Sequence, residues 1–235
     1  MTRWLRQLQN EVIDLFFPRE CIGCGKIDDF ICIQCAKKLS RLVPPLCPKC
    51  GKPEASGHLC YECWGKSSNI DNVYSVFVFD GTMRKAVHSL KYHNLRAIAG
   101  CLGKYMASYY VANNLNGNIL VPVPLHENRV RERGYNQSIL LAREISRIVE
   151  IPVDAKLIKR TRDCISQART KNVEERRRNM ENAFSPISDM ISGMEIILID
   201  DVCTSGATLE ACATVLKKAG ASRVTGFTLA REINK

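Results

Sequence analysis

Residues 196–209 read IILIDDVCTSGATL. An apolar run of strand length ends in two adjacent acids, Asp200 and Asp201, and a stretch of small and hydroxylic residues leads into a helical pattern. Gly206 permits a tight turn close to a ligand. Thr204, Ser205 and Thr208 add hydroxyls to the unpaired amides of a helix start, which makes a cradle suited to a phosphate. Two carboxylates would repel a phosphate that touched them. They suit sugar hydroxyls, from which they only accept hydrogen bonds, or a magnesium ion. A phosphate on one side and vicinal hydroxyls on the other describe a ribose 5-phosphate.

Outward from this stretch, apolar runs at 73–79, 118–124, 195–200 and 223–229 alternate with helical patterns near 82–92, 95–113, 135–149 and 207–219. That alternation predicts an α/β fold, a mainly parallel sheet flanked by helices on both faces, with ligands at the carboxyl ends of the strands. The stretch VPVPLH (121–126) is a strand running into a proline-stiffened loop. The exposed amides of that loop, with Arg129, Arg133 and Gly134, are suited to a pyrophosphate. Asn136 and Gln137 begin the next helix, either as caps or as groups that orient the loop or an acceptor.

The first third has a different texture. Eight of the twelve cysteines form four C-x-x-C pairs: Cys21/Cys24, Cys32/Cys35, Cys47/Cys50 and Cys60/Cys63. Paired thiolates separated by two residues turn inward on one tetrahedral ion, as in structural zinc sites. In CIGCG and CPKCG a glycine follows the second cysteine, where the backbone turns sharply around the sulfurs. Up to two zinc ions are implied. Consecutive pairing gives two ribbons in series and is favoured by the short gaps; an interleaved arrangement (21, 24, 47, 50 with 32, 35, 60, 63) stays open. His58 is surplus to eight thiolates. So small a segment has little apolar content for a core, and metal supplies much of its folding energy. WGKSSNIDN (64–72) then reads as a linker, which divides the chain into a domain at 1–70, comprising a short N-terminal amphipathic helix and the zinc ribbons, and a second domain at 71–235.

Hydrophobic residues make up 46% and charged residues 25%, as in ordinary globular chains, and no apolar run reaches the length of a membrane span. The opening segment has no signal-peptide pattern, so the expected location is the cytoplasm. The net charge of +10 favours phosphate-rich ligands or nucleic acid. Residues 126–182 hold fourteen Lys or Arg against nine Asp or Glu, a basic face.

ILIDDVCTSGAT (197–208) resembles the signature of the type I phosphoribosyltransferases. The resemblance implies that Asp200 and Asp201 hold the ribose hydroxyls of phosphoribosyl pyrophosphate, and that Cys203, Thr204, Ser205, Gly206, Ala207 and Thr208 form the loop for its 5-phosphate, with magnesium bound alongside. No redox role falls to Cys203. VPVPLHENRVRERGYNQSILLA (121–142), LKYHN (90–94) and ARTKNVEERRRNMENAF (168–184), together with the four-pair cysteine segment, are similar to the ComF-type proteins. Those proteins are linked in bacteria to DNA uptake during natural transformation. The family arrangement implies that Lys91 takes a phosphate oxygen and Tyr92 stacks on a ring. It also implies a pyrophosphate site at Arg129, Arg133 and Gly134, and a basic flap over 160–178 that carries Gln167, Arg169, Lys171 and Arg176 to Arg178. The implied partners are phosphoribosyl pyrophosphate, single-stranded DNA, a DNA-uptake helicase and DNA-processing proteins, on the cytosolic side and peripheral to the inner membrane. Turnover would transfer ribose 5-phosphate to a nitrogenous base with release of pyrophosphate. The alternative is a nucleobase phosphoribosyltransferase of nucleotide salvage, disfavoured by the zinc segment.

Overall fold

In the computed structural model the chain is described over residues 19–161, 183–186 and 191–233. The N-terminal amphipathic helix and most of the basic flap, with Gln167, Arg169, Lys171 and Arg176 to Arg178, lie outside the described residues. The elements run α1 (Ile33–Ala36), β1 (Asn72–Val78), α2 (Gly81–Tyr92), α3 (Ile98–Ala112), β2 (Ile119–Pro122), α4 (Glu127–Arg133), α5 (Gln137–Val149), β3 (Ile158–Arg160), β4 (Phe184–Pro186), β5 (Glu195–Cys203), α6 (Ala207–Lys218) and β6 (Arg223–Arg231).

Four strands lie in the order β1-β6-β5-β2, every pairing parallel, as the strand–helix alternation predicts. Alternate residues of a strand face opposite sides of a sheet. On one side Ile197, Ile199 and Phe227 pack with the apolar faces of α2, α3 and α5. On the other, Ile196, Leu198 and Val224 pack with α6 and the small antiparallel β3–β4 pair. Burial on both faces explains why these strands are almost continuously apolar. All four carboxyl ends open toward the same crevice, where the acidic pair of β5 stands.

The cysteine segment folds as two similar turns set against this sheet. Glu20 bridges Ile27 around the first pair, and Leu46 bridges Pro53 around the third. Gly25 and Gly51 close the turns at φ 74° and 72°, which glycine alone adopts freely. Gly51 also lies so near β1 that a Cβ there would stand 2.3 Å from the Val73 carbonyl oxygen. Among the described residues the segment makes no core of its own; Phe30, Ile31 and Leu39 join the main core instead. Its chain also completes the exposed edge of β1. Arg41 bridges Phe77 antiparallel, Val78 N donates to Ser40 O at 2.8 Å, and Val73 N donates to Lys49 O at 2.9 Å. An edge strand left unpaired is a site for aberrant association, and here the ribbons cover it.

The stretch expected to be a linker is hydrogen-bonded along α6. Glu210 accepts from Ser68 Oγ at 2.6 Å, Asn69 N at 2.8 Å and Ile70 N at 3.3 Å, and Asn69 Nδ2 reaches Thr214 Oγ1 at 3.0 Å. The serines and asparagines that make it look like a linker are the donors a carboxylate needs.

Candidate functional site

Asp200 and Asp201 stand near the carboxyl end of β5 and are held by the first turn of α5. Asn136 caps that helix, its side-chain oxygen accepting from Ser138 N at 2.8 Å, and its amide donates to Val123 O at 2.9 Å. One residue therefore both caps α5 and fixes the loop after β2. The cap presents Gln137 and Ser138 to the acids. Ser138 Oγ donates to Asp200 Oδ1 at 2.9 Å, as does the Asp201 amide at 2.9 Å. Gln137 Nε2 donates to Asp201 Oδ1 at 3.5 Å, while its Oε1 accepts from Arg133. Lys91, from the last turn of α2, forms an ion pair with Asp201 Oδ2. A polar chain thus runs Arg133–Gln137–Asp201–Lys91.

The two acids are pushed apart electrostatically. Burial and then the neighbouring Asp201 charge raise the Asp200 carboxyl to about 7. Burial works the same way on Asp201, but the Lys91 ammonium outweighs it and holds that carboxyl below the usual range. The same pair holds Lys91 above its ordinary value in spite of its desolvation. At neutral pH Asp201 is an ionised structural partner, and Asp200 is poised to gain or lose a proton.

On the α2 side, Lys91, Tyr92, Arg129, Arg133 and Gly134 line one cavity of about 470 Å³, so the structure brings together five residues that sequence motifs about 40 positions apart single out. The Arg133 guanidinium lies 5.5 Å from the centre of the exposed Tyr92 ring. Arg129 pairs with Glu132 at 3.0 Å. Arg96, which no motif marks, joins this cavity and sits 4.5 Å over the Tyr135 ring.

On the other side the loop turns at Gly206, whose φ of 78° makes it the N-cap of α6. Ser205 Oγ accepts from Ala207 N at 3.4 Å. Ser205, Gly206 and Ala207 face a separate cavity of about 170 Å³ shared with the second cysteine turn. Cys203 is buried, and its Sγ accepts from Arg231 Nη1 at 3.2 Å. Ser138, Arg96 and Arg231 are the polar residues that sequence reasoning misses. Each acquires its place through contacts distant in the chain, and only Ser138, two positions after a cap, carries a local signal.

The cysteines resolve into two quartets, Cys21, Cys24, Cys32, Cys35 and Cys47, Cys50, Cys60, Cys63, the thiols of each within 4.8 Å of one another. This is the consecutive pairing, and His58 belongs to neither quartet. Cys32 N donates to Cys21 Sγ at 3.3 Å and Cys60 N to Cys47 Sγ at 3.4 Å. Burial raises these two thiols, but the amides around them outweigh it and bring Cys21 and Cys47 to about 6. Four converging sulfurs with amide donors already in place fit zinc thiolates. No helix among the described residues is long and apolar enough to cross a membrane.

The double zinc ribbon domain family matches residues 12–64, and the phosphoribosyl transferase domain family matches residues 136–235. Competence protein ComFC of Bacillus subtilis is 31% identical over 217 residues, covering 88% of this chain and 86% of that protein. DNA utilization protein YhgH of Escherichia coli K12 is 30% identical, covering 86% of this chain and 91% of its own. Competence protein F of Haemophilus influenzae is 28% identical over 92% of this chain and 98% of its own. Among solved structures, the glutamine phosphoribosylpyrophosphate amidotransferase of B. subtilis superposes with a TM-score of 0.40 at 18% identity, over 57% of this chain and 26% of that one.

Proposed function

The chain belongs to the ComF family of ComFC and YhgH, with a phosphoribosyltransferase domain behind a double zinc ribbon, and from that premise we propose that it binds phosphoribosyl pyrophosphate with magnesium and handles single-stranded DNA on the cytosolic side during DNA uptake. The observation that carries the first part is the order of chemistry across the crevice. Cations of α2 and α4 come first, the acidic pair next, and the hydroxyl- and amide-bearing loop last. Phosphoribosyl pyrophosphate has the matching order: diphosphate, ribose hydroxyls, 5-phosphate. Lys91 and Arg133 bind the diphosphate, Asp200 and Asp201 accept from the ribose hydroxyls, and Ser205 with the α6 amides holds the 5-phosphate.

The acids offer only oxygen donors, which suits magnesium, an ion commonly held by one or two carboxylates together with substrate phosphates. When bound, magnesium supplies charge neutralisation to the diphosphate. Ser138 and Gln137 keep the carboxylates turned to the crevice, and Arg133 adds positive charge where a diphosphate would leave.

Calorimetric titration of phosphoribosyl pyrophosphate with magnesium tests this reading. Asp200, titrating at about 7, must release its proton to engage the ligand or the ion, so affinity rises from pH 6 to pH 8 by about tenfold. An Asp200→Asn variant lacks that component, which separates it from titration of the ligand's own phosphates. Absence of magnesium-dependent binding at both pH values would sink the reading. Pyrophosphate release with a free nucleobase would instead assign the salvage-type reaction.

The DNA role takes its support from the family and from one surface feature. Arg96 belongs to the Lys91 cavity and also to a second groove of about 470 Å³ lined by Arg19, Lys104, Arg143 and Arg147, with Asp29 and Glu144 between them. A basic track therefore leads away from the crevice, and the exposed Tyr92 offers a ring for base stacking. Affinity for an oligothymidylate should fall with log salt at a slope of about −3 if four phosphates are neutralised. Lys104→Glu with Arg143→Glu should weaken binding at least tenfold, read by fluorescence anisotropy. Salt-independent binding, or wild-type affinity in that variant, would remove the DNA assignment. A DNA-uptake helicase and DNA-processing proteins are the partners this role calls for.

A further inference from the structure

Helix α2 has two unlike faces. Its inward side, Met83, Ala86, Val87 and Leu90, is buried in the main core. Its outward side has Arg84, His88 and Tyr92 at intervals of four, all three exposed, so they stand in one row along the helix. The half-buried Phe79, just before α2, joins that row. The Arg84 guanidinium lies 4.9 Å from the centre of the Phe79 ring and donates to Phe79 O at 3.3 Å. The Phe79 and His88 rings are stacked with centres 6.3 Å apart, and His88 lies 5.5 Å from Tyr92. Arg133 covers Tyr92 from the far end. The result is a ladder of three rings with a guanidinium at each end. It adds little to the fold, because the inward side already anchors the helix and the Tyr92 ring remains 66% exposed. The ladder also has a direction. Phe79 N donates to Arg231 O at 2.7 Å, which fixes its start at the carboxyl end of β1, and Lys91, beside Tyr92, pairs with Asp201 on β5. It leads from the edge of the sheet into the cavity lined by Lys91, Tyr92 and Arg133. Its charge suits a polyanion: residues 79–96 hold Arg84, Lys85, Lys91 and Arg96 against one acid, Asp80. Phosphates alone would need only the cations; exposed rings beside them match the faces of unpaired bases.

We propose that the outward face of α2 is a base-stacking platform for single-stranded DNA, with unpaired bases against His88 and Tyr92, phosphates on Arg84 and Lys85, and the strand led along the helix into the Lys91 cavity. Phe79 backs the His88 ring and holds it in line. The inference rests on the DNA part of the proposed function and deepens it: the groove at Arg96 attracts phosphates, whereas this face senses bases. A duplex keeps its bases stacked inside and cannot present them to the rings.

The test compares an oligothymidylate with an abasic strand of equal length and charge, each titrated by fluorescence anisotropy with the zinc-loaded full chain. The wild type should bind the base-bearing strand about tenfold more tightly. His88→Ala with Tyr92→Ala, both at exposed positions, should bring that ratio to within about twofold of unity. Arg84→Glu should weaken both strands by about threefold or more. Lys104→Glu with Arg143→Glu should also weaken both strands but leave the ratio intact, because it removes phosphate contacts alone. A wild-type ratio near unity, or a ratio that survives the loss of both rings, overturns the platform and leaves the salt-dependent DNA reading standing. Binding of neither strand removes that reading and the platform with it. If the double variant fails to fold, ultraviolet cross-linking of an iododeoxyuridine oligonucleotide to the wild type decides the matter. Adducts on His88 or Tyr92 support the platform, and adducts confined to other residues overturn it.

Discussion

Replacing Asp200 and Asp201 together with alanine should lower magnesium-dependent affinity for phosphoribosyl pyrophosphate by at least a hundredfold. Each carboxylate would lose a charge-assisted interaction of about 1.5–3 kcal/mol, and two of them amount to at least about 3 kcal/mol, or more than two decades in Kd. The single variants should behave differently in stability. Asp201→Ala leaves the Lys91 ammonium without its ion-pair partner and leaves one donor of Gln137 unmet, so its melting temperature should fall. Asp200 has the opposite sign. Its folded carboxyl is raised to about 7, so the stability linked to its protonated form is complete below its ordinary value near 3.8 and is lost as pH rises through 7. Asp200→Asn removes that loss, so its melting temperature should gain on the wild type between pH 5 and pH 8. A fall in Asp200→Asn that grows with pH would show that the charge distribution between the two acids has been assigned the wrong way round.

The same residues show how far the sequence can be read. IILIDD followed by a small, hydroxylic loop is a local pattern, so the strand, the acids and the helix start are all visible within fourteen positions. The parallel sheet follows from alternating element types, and the quartets from cysteine spacing, although choosing consecutive over interleaved pairing needed the fold. What was not legible is tertiary. Ser138 reaches Asp200 across 62 positions and Arg231 reaches Cys203 across 28. Periodicity reports which face of an element is buried, not which polar atom meets which across the crevice. The polar run 64–72 shows the same limit: its serines and asparagines are equally suited to water and to the carboxylate of Glu210, and only packing decides between them. Nor does sequence alone separate one site from two. Cys203 and the loop after it stand in the same motif as Asp200 and Asp201, yet Lys91 and Arg133 line one cavity and Ser205 to Ala207 another.

Disabling the second zinc site should have the largest structural effect. The quartets are independent, so Cys47→Ser with Cys60→Ser should reduce bound zinc from two ions per chain to one, measured by elemental analysis of the purified protein. Under interleaved pairing those substitutions would damage both sites, and zinc would fall toward zero. Binding of a structural zinc is worth about 10–16 kcal/mol in small zinc peptides, comparable to the whole net stability of a domain. The turn from Cys47 to Cys63 buries little besides its own sulfurs, so nothing replaces that contribution and the turn should unfold. The sheet domain has its own two-sided core and should remain folded, but with β1 stripped of its bond from Val73 N to Lys49 O and of the packing at Gly51. A loss of about 2–3 kcal/mol corresponds to a fall of roughly 5–10 °C in Tm for a chain of this size. The freed edge should also make the variant aggregate on heating, which light scattering detects. An unchanged Tm with one zinc lost would mean that the ribbon is an appendage to the sheet rather than part of its edge.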